Sequence, residues 1–257
     1  MQQELQVTIV QTELHWEAPE QNRERFSNLL SGIEATNLIV LPEMFTTGFT
    51  MNAKAVAEPP KGATLQWMQQ QAKKHQAAIT GSIVVSENEH FYNRLYFVKP
   101  DGTFFKYDKK HTFTLAKEHQ TYTAGTDRLV VEYLGWKICP LICYDLRFPV
   151  WSRNTVDYDV LLYVANWPEK RVQAWDALLR ARAIENMAYC VGVNRVGMDG
   201  NDHPYVGHSA FYDVLGNKCS KGFEGTFVET IALQKDSITT LRDQLQFLRD
   251  RDSFQLT

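Results

Sequence analysis

The chain has 257 residues, 44% hydrophobic and 22% charged, with a formal charge of -3. These values support a buried core and exclude a disordered or fibrous protein, and the slight acidity gives no basis for nucleic-acid binding. No apolar run is long enough to span a bilayer, and MQQELQVTIV has no basic region ahead of its apolar part, so no membrane partner and a cytoplasmic location are expected.

Residues 5–12, LQVTIVQT, are apolar and partly β-branched and predict a buried strand. A helix follows over 19–33, with proline in its first turn and Phe26, Leu29, Leu30 and Ile33 at helical spacing. NLIVLPE is a short strand ending at Glu43, and 64–75 is a second helix with Leu65, Met68 and Ala72 on one face. AAITGSIVV and FYNRLYFVKP form a strand pair, with a turn at Asp101-Gly102. The second half repeats this rhythm. RLVVEYLGWKICPLIC supplies two strands about Gly135, a short helix follows Pro149, and DVLLYVANW is an apolar strand. Next come a helix over 171–187, the strands AYCVGVNRV, GHSAFYDVLG and TFVETIAL, and a charged helix over 236–250. Strands that are single between helices as well as adjacent in pairs predict mixed sheets. The repeated order predicts an α/β, four-layer α-β-β-α sandwich: two similar sheets face to face, helices outside. No linker interrupts the chain, so one domain over 1–257 is expected.

The four cysteines are Cys139, Cys143, Cys190 and Cys219. A reducing cytoplasm argues against disulfides. The Cys139/Cys143 spacing fits neither a C-x-x-C redox motif nor, without a second ligand pair, a zinc site, so no metal is expected. Strand alternation puts Cys139, Leu141 and Cys143 on one face, and only Cys143 reaches the strand end, where backbone N–H groups are free to hold an oxyanion. Taken alone, Cys143 is still best read as a small core hydrophobe; the other three are read as packing residues. Glu43 after LIVLP reads equally as a solvated strand-end residue or an acid held by a partner. Lys109 and Lys110 in YDKKHTF predict a solvated basic turn, with Tyr107 and Phe113 placed to bury one of them.

Together, LPEMF with Glu43, YDKKHTF with Lys109 and CYDLRFP with Cys143 resemble the three signature segments of the carbon–nitrogen hydrolase (nitrilase) superfamily, in order and spacing. RARAIEN, VNRVG and GHSAFYDVLG resemble its supporting segments, so the resemblance covers nearly the whole chain. Asp108 and Thr112 depart from the usual arginine and leucine of the lysine segment. The resemblance implies a thiol nucleophile at Cys143, a base at Glu43, and an oxyanion hole of Lys109 with the Tyr144 N–H. Glu118 matches a second glutamate of the family. No cofactor is implied, because cysteine is both nucleophile and leaving group.

Within the superfamily the chain is most similar to the ω-amidases, which implies a small-molecule amide substrate: 2-oxoglutaramate or another short dicarboxylic monoamide, cleaved to acid and ammonia. Tyr144, Trp167, Phe45 and Phe49 are candidate pocket walls. Arg195, Arg147 and Tyr107 are candidate anchors for the substrate carboxylate, and an Asp145–Arg147 ion pair is expected to order the strand end. A homodimer is implied by family habit. Alternatives are another hydrolase of the superfamily (for carbamoyl amino acids, aliphatic amides or nitriles), a cysteine–histidine hydrolase using His111 or His208, and a binding module on the same fold. The absence of G-x-S-x-G and G-x-G-x-x-G disfavours a serine hydrolase and a dinucleotide site.

Overall fold

The computed structural model describes residues 2–255. Its strands are β1 (Glu4–Gln11), β2 (Leu38–Val40), β3 (Ala78–Glu87), β4 (His90–Val98), β5 (Phe104–Asp108), β6 (Val131–Tyr133), β7 (Trp136–Ile142), β8 (Val160–Val164), β9 (Tyr189–Val193), β10 (Val196–Met198), β11 (Pro204–Val206), β12 (Ala210–Tyr212) and β13 (Phe227–Gln234). The helices are α1 (Pro19–Leu30), α2 (Ala53–Val56), α3 (Ala63–His75), α4 (Glu118–Thr121), α5 (Pro149–Ser152), α6 (Val172–Asn186) and α7 (Lys235–Leu245).

One sheet runs β13-β1-β2-β3-β4-β5 and the other β12-β9-β8-β7-β6. Each has a parallel trio, β1-β2-β3 or β7-β8-β9, with antiparallel strands on both sides. Parallel neighbours require crossovers, which carry α1 and α3 in one half and α5 and α6 in the other. Strands covered on both faces read as unbroken apolar runs, as LIV and VLLYV do, and every residue of both is buried.

The main core joins Val7, Ile9, Val40, Leu95 and Phe97 of the first sheet to Ile138 and Leu141 of the second. A second core lies under α1 and α3, where Phe26, Leu30, Leu65 and Met68 meet Ile39 and Ile79. Across the molecule, α6 descends onto β9 at Gly192, where an added Cβ would lie 2.4 Å from Leu179 and 2.7 Å from Trp175. The result is the expected sandwich, helices outside both sheets.

The β6–β7 turn is Leu134-Gly135, both left-handed (φ 52° and 84°), as a two-residue hairpin favours. Differences from expectation lie at element ends. The last helix stops at Leu245, closed by left-handed Gln246, and a 3₁₀ turn over Phe247–Asp250 follows. β10 and β11 form a separate two-stranded hairpin. Among the described residues no helix is long and apolar enough to cross a membrane.

Candidate active site

The carboxyl ends of parallel strands are where open α/β sheets expose unpaired backbone groups. Here such ends from both sheets converge. Glu43 follows β2, Asn166 follows β8, and Cys143 directly follows β7, while Lys109 follows the antiparallel β5. Cys143 begins a 3₁₀ turn over Cys143–Arg147 with its backbone left-handed, φ 43°. A non-glycine residue in that region costs about 1–2 kcal/mol, so the surroundings must hold it. Asp145 does so: its carboxylate accepts the Ile142 N–H at 3.0 Å, the Tyr107 hydroxyl at 2.7 Å and the His111 N–H at 3.0 Å, with His111 Nδ1 at 2.7 Å. The Tyr144 N–H lies in the first turn of this segment, where amides lack an acceptor within the turn.

Glu43, Lys109 and Glu118 are all buried. Lys109 Nζ donates to Glu43 Oε1 at 2.9 Å and to both Glu118 oxygens at 3.0 Å. Asn93 Nδ2 donates to Glu43 Oε1 at 2.8 Å, and the Asn166 N–H to Glu43 Oε2 at 2.7 Å. Cys143 Sγ lies 3.9 Å from the Asn166 carbonyl oxygen. Of the adjacent lysines, Lys109 turns inward, and Lys110 lies over the Trp151 ring at 5.2 Å.

Burial pushes the Cys143 thiol well above its usual range, and the Glu43 charge pushes the same way, against a smaller pull from Lys109. Burial also raises the Glu118 carboxyl, while Lys109 pulls it back down. For Lys109 burial works toward a lower pKa, but the fields of Glu118 and then Glu43 outweigh it and raise the ammonium above its ordinary 10.5. The part that Lys109 contributes is therefore present below pH 10.5 while its carboxylate partners stay ionised, and is lost as the pH climbs through the raised value.

Two buried carboxylates thus share one ammonium. Removing the ammonium strands both, and breaking a buried pair in this way costs about 3–5 kcal/mol. Lys109→Met is expected to lower unfolding free energy by about that amount in urea denaturation at pH 7, and adding Glu118→Gln recovers part of it. A full loss that Glu118→Gln leaves untouched would contradict this charge balance.

Cys143 and Lys109 lie in the wall of a cavity of about 700 Å³, with Phe49, Phe113, Tyr144, Asn166, Trp167, Arg171 and Tyr205. Of the sequence-predicted walls, Tyr144, Trp167 and Phe49 are in place. Phe45 is not. The left-handed turn at Met44 (φ 41°) sends it to the helix side of the first sheet, where its ring meets Phe26 at 5.3 Å and Trp67 at 5.7 Å. Arg195 is buried behind the cavity wall, donating to the Val196 and Met198 carbonyls and lying 4.8 Å over the Tyr205 ring. Tyr107 is spent on Asp145 and receives the Trp151 indole N–H at 3.0 Å. The expected Asp145–Arg147 pair does not form, because Asp145 is taken by His111 and Tyr107, and Arg147 lies 4.9 Å over Trp167. Cys219, read as a packing residue, is exposed, whereas Cys139 and Cys190 are buried.

Neither histidine of the alternative mechanism lines the cavity: His111 stacks on Phe148 at 3.7 Å, and His208 pairs with Asp176 at 2.9 Å. Sequence reasoning passed over Asn93, Asn166 and Arg171. The two asparagines carried a signal, each being a polar residue within or just beyond an apolar strand. Arg171 ends a 3₁₀ turn over Glu169–Arg171 directly ahead of α6, at the first residue of the predicted helix, where nothing in the sequence marks its side chain.

The carbon–nitrogen hydrolase pattern matches residues 6–242. The protein is an enzyme that hydrolyses carbon–nitrogen bonds, an amidohydrolase. It belongs to the carbon–nitrogen hydrolase family. It is 45% identical to the ω-amidase YafV of Yersinia enterocolitica, with 98% of each chain covered. It is 36% identical to the 2-oxoglutaramate amidase of Bacillus subtilis, over 78% of this chain and 80% of that one. Among solved structures, a carbon–nitrogen hydrolase superfamily protein from Xanthomonas campestris, with an arsenic adduct in its active site, superposes with a TM-score of 0.97 at 42% identity and full coverage of both chains.

Proposed function

We propose that the protein is an ω-amidase, releasing ammonia from the terminal amide of 2-oxoglutaramate or a similar short dicarboxylic monoamide, with Cys143 as nucleophile. The observation that carries this reading is the meeting of Cys143 and Lys109 in one cavity wall, with Glu43 buried against Lys109 at 2.9 Å, in a chain that aligns end to end with ω-amidases. Because burial holds Cys143 as a thiol, its proton passes to Glu43 as sulfur attacks the amide carbon. The carbonyl oxygen becomes an oxyanion held by the Lys109 ammonium and the Tyr144 N–H. On collapse the C–N bond breaks, Glu43 returns the proton to the leaving nitrogen, and ammonia departs, leaving a thioester on Cys143. Glu43 next takes a proton from water; the hydroxyl adds to the thioester, the C–S bond breaks, and sulfur regains the proton as the acid leaves. Glu118 touches none of the reacting atoms and acts as a positioning residue by fixing Lys109 Nζ.

The same reading makes this a single-domain cytoplasmic homodimer, a state that sedimentation velocity tests. Its chemical test is an ammonia-release screen over short ω-amides, aliphatic nitriles and N-carbamoyl amino acids. The kcat/KM for 2-oxoglutaramate is expected to exceed that for the others by about 10²-fold or more. Faster turnover of a nitrile or a carbamoyl compound would overturn the assignment.

A further inference from the structure

A substrate of this kind carries a carboxylate at the end away from its scissile amide, and that charge must be met inside the cavity. We propose that Arg171 anchors this carboxylate through its guanidinium, fixing the far end of the substrate while the amide carbon lies at Cys143. The assignment rests on the ω-amidase reading and names the residue that would select the substrate class.

Position comes first. Arg171 lines the same cavity as Cys143 and is half-buried. Its backbone is pinned just before α6: its N–H donates to the Pro168 carbonyl at 3.0 Å, and its carbonyl accepts the Trp167 indole N–H at 2.7 Å. Trp167 itself lines the cavity, so this pin ties the arginine to the wall that substrate touches.

Availability comes second. Among the described residues, the contact of the Arg171 guanidinium is the Phe113 ring, 5.0 Å away, and no side-chain carboxylate pairs with it. A guanidinium offers five N–H donors in a planar fork, which suits a carboxylate two bonds at a time. Lys170 also lines the cavity, but it is exposed and its ammonium lacks the planar fork, and Arg195 and Arg147 lie outside the lining. Lys109 is shared between Glu43 and Glu118, Arg195 gives Nε and Nη2 to backbone carbonyls behind the wall, and Arg147 lies on Trp167.

The acids of the cavity do not quench Arg171 either. Glu17 is held by Thr50 at 2.5 Å and Asn52 at 3.0 Å. Asp199 is held by the Tyr205 hydroxyl at 2.9 Å and the backbone N–H groups of Asn201 and His203 at 2.8 and 3.0 Å. Burial lowers the Arg171 pKa, and its guanidinium lies within the electrostatic reach of Cys143, Tyr205 and Arg147. The attraction of a bound carboxylate would offset both the desolvation and the repulsion from Arg147.

The test compares 2-oxoglutaramate with butanamide, which keeps an amide and lacks the carboxylate, in wild type, Arg171→Gln and Arg171→Lys. Wild type is expected to favour 2-oxoglutaramate. In Arg171→Gln the ratio of the two kcat/KM values falls about 10²-fold, chiefly through a higher KM for the acid. Arg171→Lys falls between, since it keeps the charge and loses the fork. An Arg171→Gln ratio equal to wild type, including a uniform loss on both amides, overturns the anchor and leaves the ω-amidase reading standing. A wild type without preference for the acid overturns that reading, and the anchor with it.

Discussion

Cys143→Ala is expected to abolish amide hydrolysis, with kcat/KM down by at least about 10⁴-fold, in a protein that still folds. The loss is large because no other group in the cavity replaces sulfur as both nucleophile and leaving group. The two other buried cysteines, Cys139 and Cys190, lie outside the cavity lining, and burial lifts Cys139 up to about 12. Structural cost is small by comparison. Alanine replaces one sulfur in a wall that already borders open space, and it inherits the same left-handed backbone. Far-UV circular dichroism and the urea midpoint should therefore stay close to wild type, within about 1 kcal/mol. Ammonia release from Cys143→Ala at more than a hundredth of the wild-type rate would remove the thioester from the mechanism.

Glu43→Gln is the second large effect: kcat for 2-oxoglutaramate falls about 10³–10⁴-fold with KM little changed. The substitution preserves shape and removes the proton acceptor. It matters more than an ordinary base deletion because the Cys143 thiol is held well above its usual range by burial, so little thiolate exists to react without transfer to Glu43. The substitution also has a local structural cost. Both Glu43 oxygens accept hydrogen bonds, one from Lys109 and Asn93 and the other from the Asn166 N–H. A glutamine presents its NH₂ to one of these donors, which costs about 1–3 kcal/mol of stability. Thermal denaturation should register that loss, and single-turnover measurements on the folded protein separate it from the chemical one. A cysteine–histidine mechanism predicts the opposite, near-normal turnover in Glu43→Gln. The positions of His111 and His208 already speak against it.

The sheets were legible because burial on both faces leaves a plain mark: VLLYV and LIV contain no polar residue. The convergence of Glu43, Lys109 and Cys143 was legible only through the resemblance of their three segments to the carbon–nitrogen hydrolase family, since alone Glu43 and Cys143 mark just the ends of apolar runs and Lys109 a basic turn. What failed were statements about direction and partnership. Phe45, a candidate pocket wall two residues past Glu43, lies instead on the helix side of the first sheet after the left-handed Met44. Asp145 was paired with Arg147, its neighbour in sequence. Its true partners, Tyr107 and His111, arrive from the far sheet and the loop after it, a contact that local spacing does not encode. Arg171 was passed over for a similar reason: its worth lies in what surrounds it, a cavity wall whose carboxylates, Glu17 and Asp199, are held by other donors.

Glu43 and Lys109 belong to the first sheet, whereas Cys143 and Asn166 belong to the second. Neither half of the chain therefore contains a working set of groups. The first sheet itself is closed by β13 from the end of the chain, paired with β1, so ammonia release in a refolding reaction reports a fold that joins both ends of the sequence. During synthesis the segment bearing the nucleophile emerges after its base and its lysine, and the set of groups is complete only once both sheets have met.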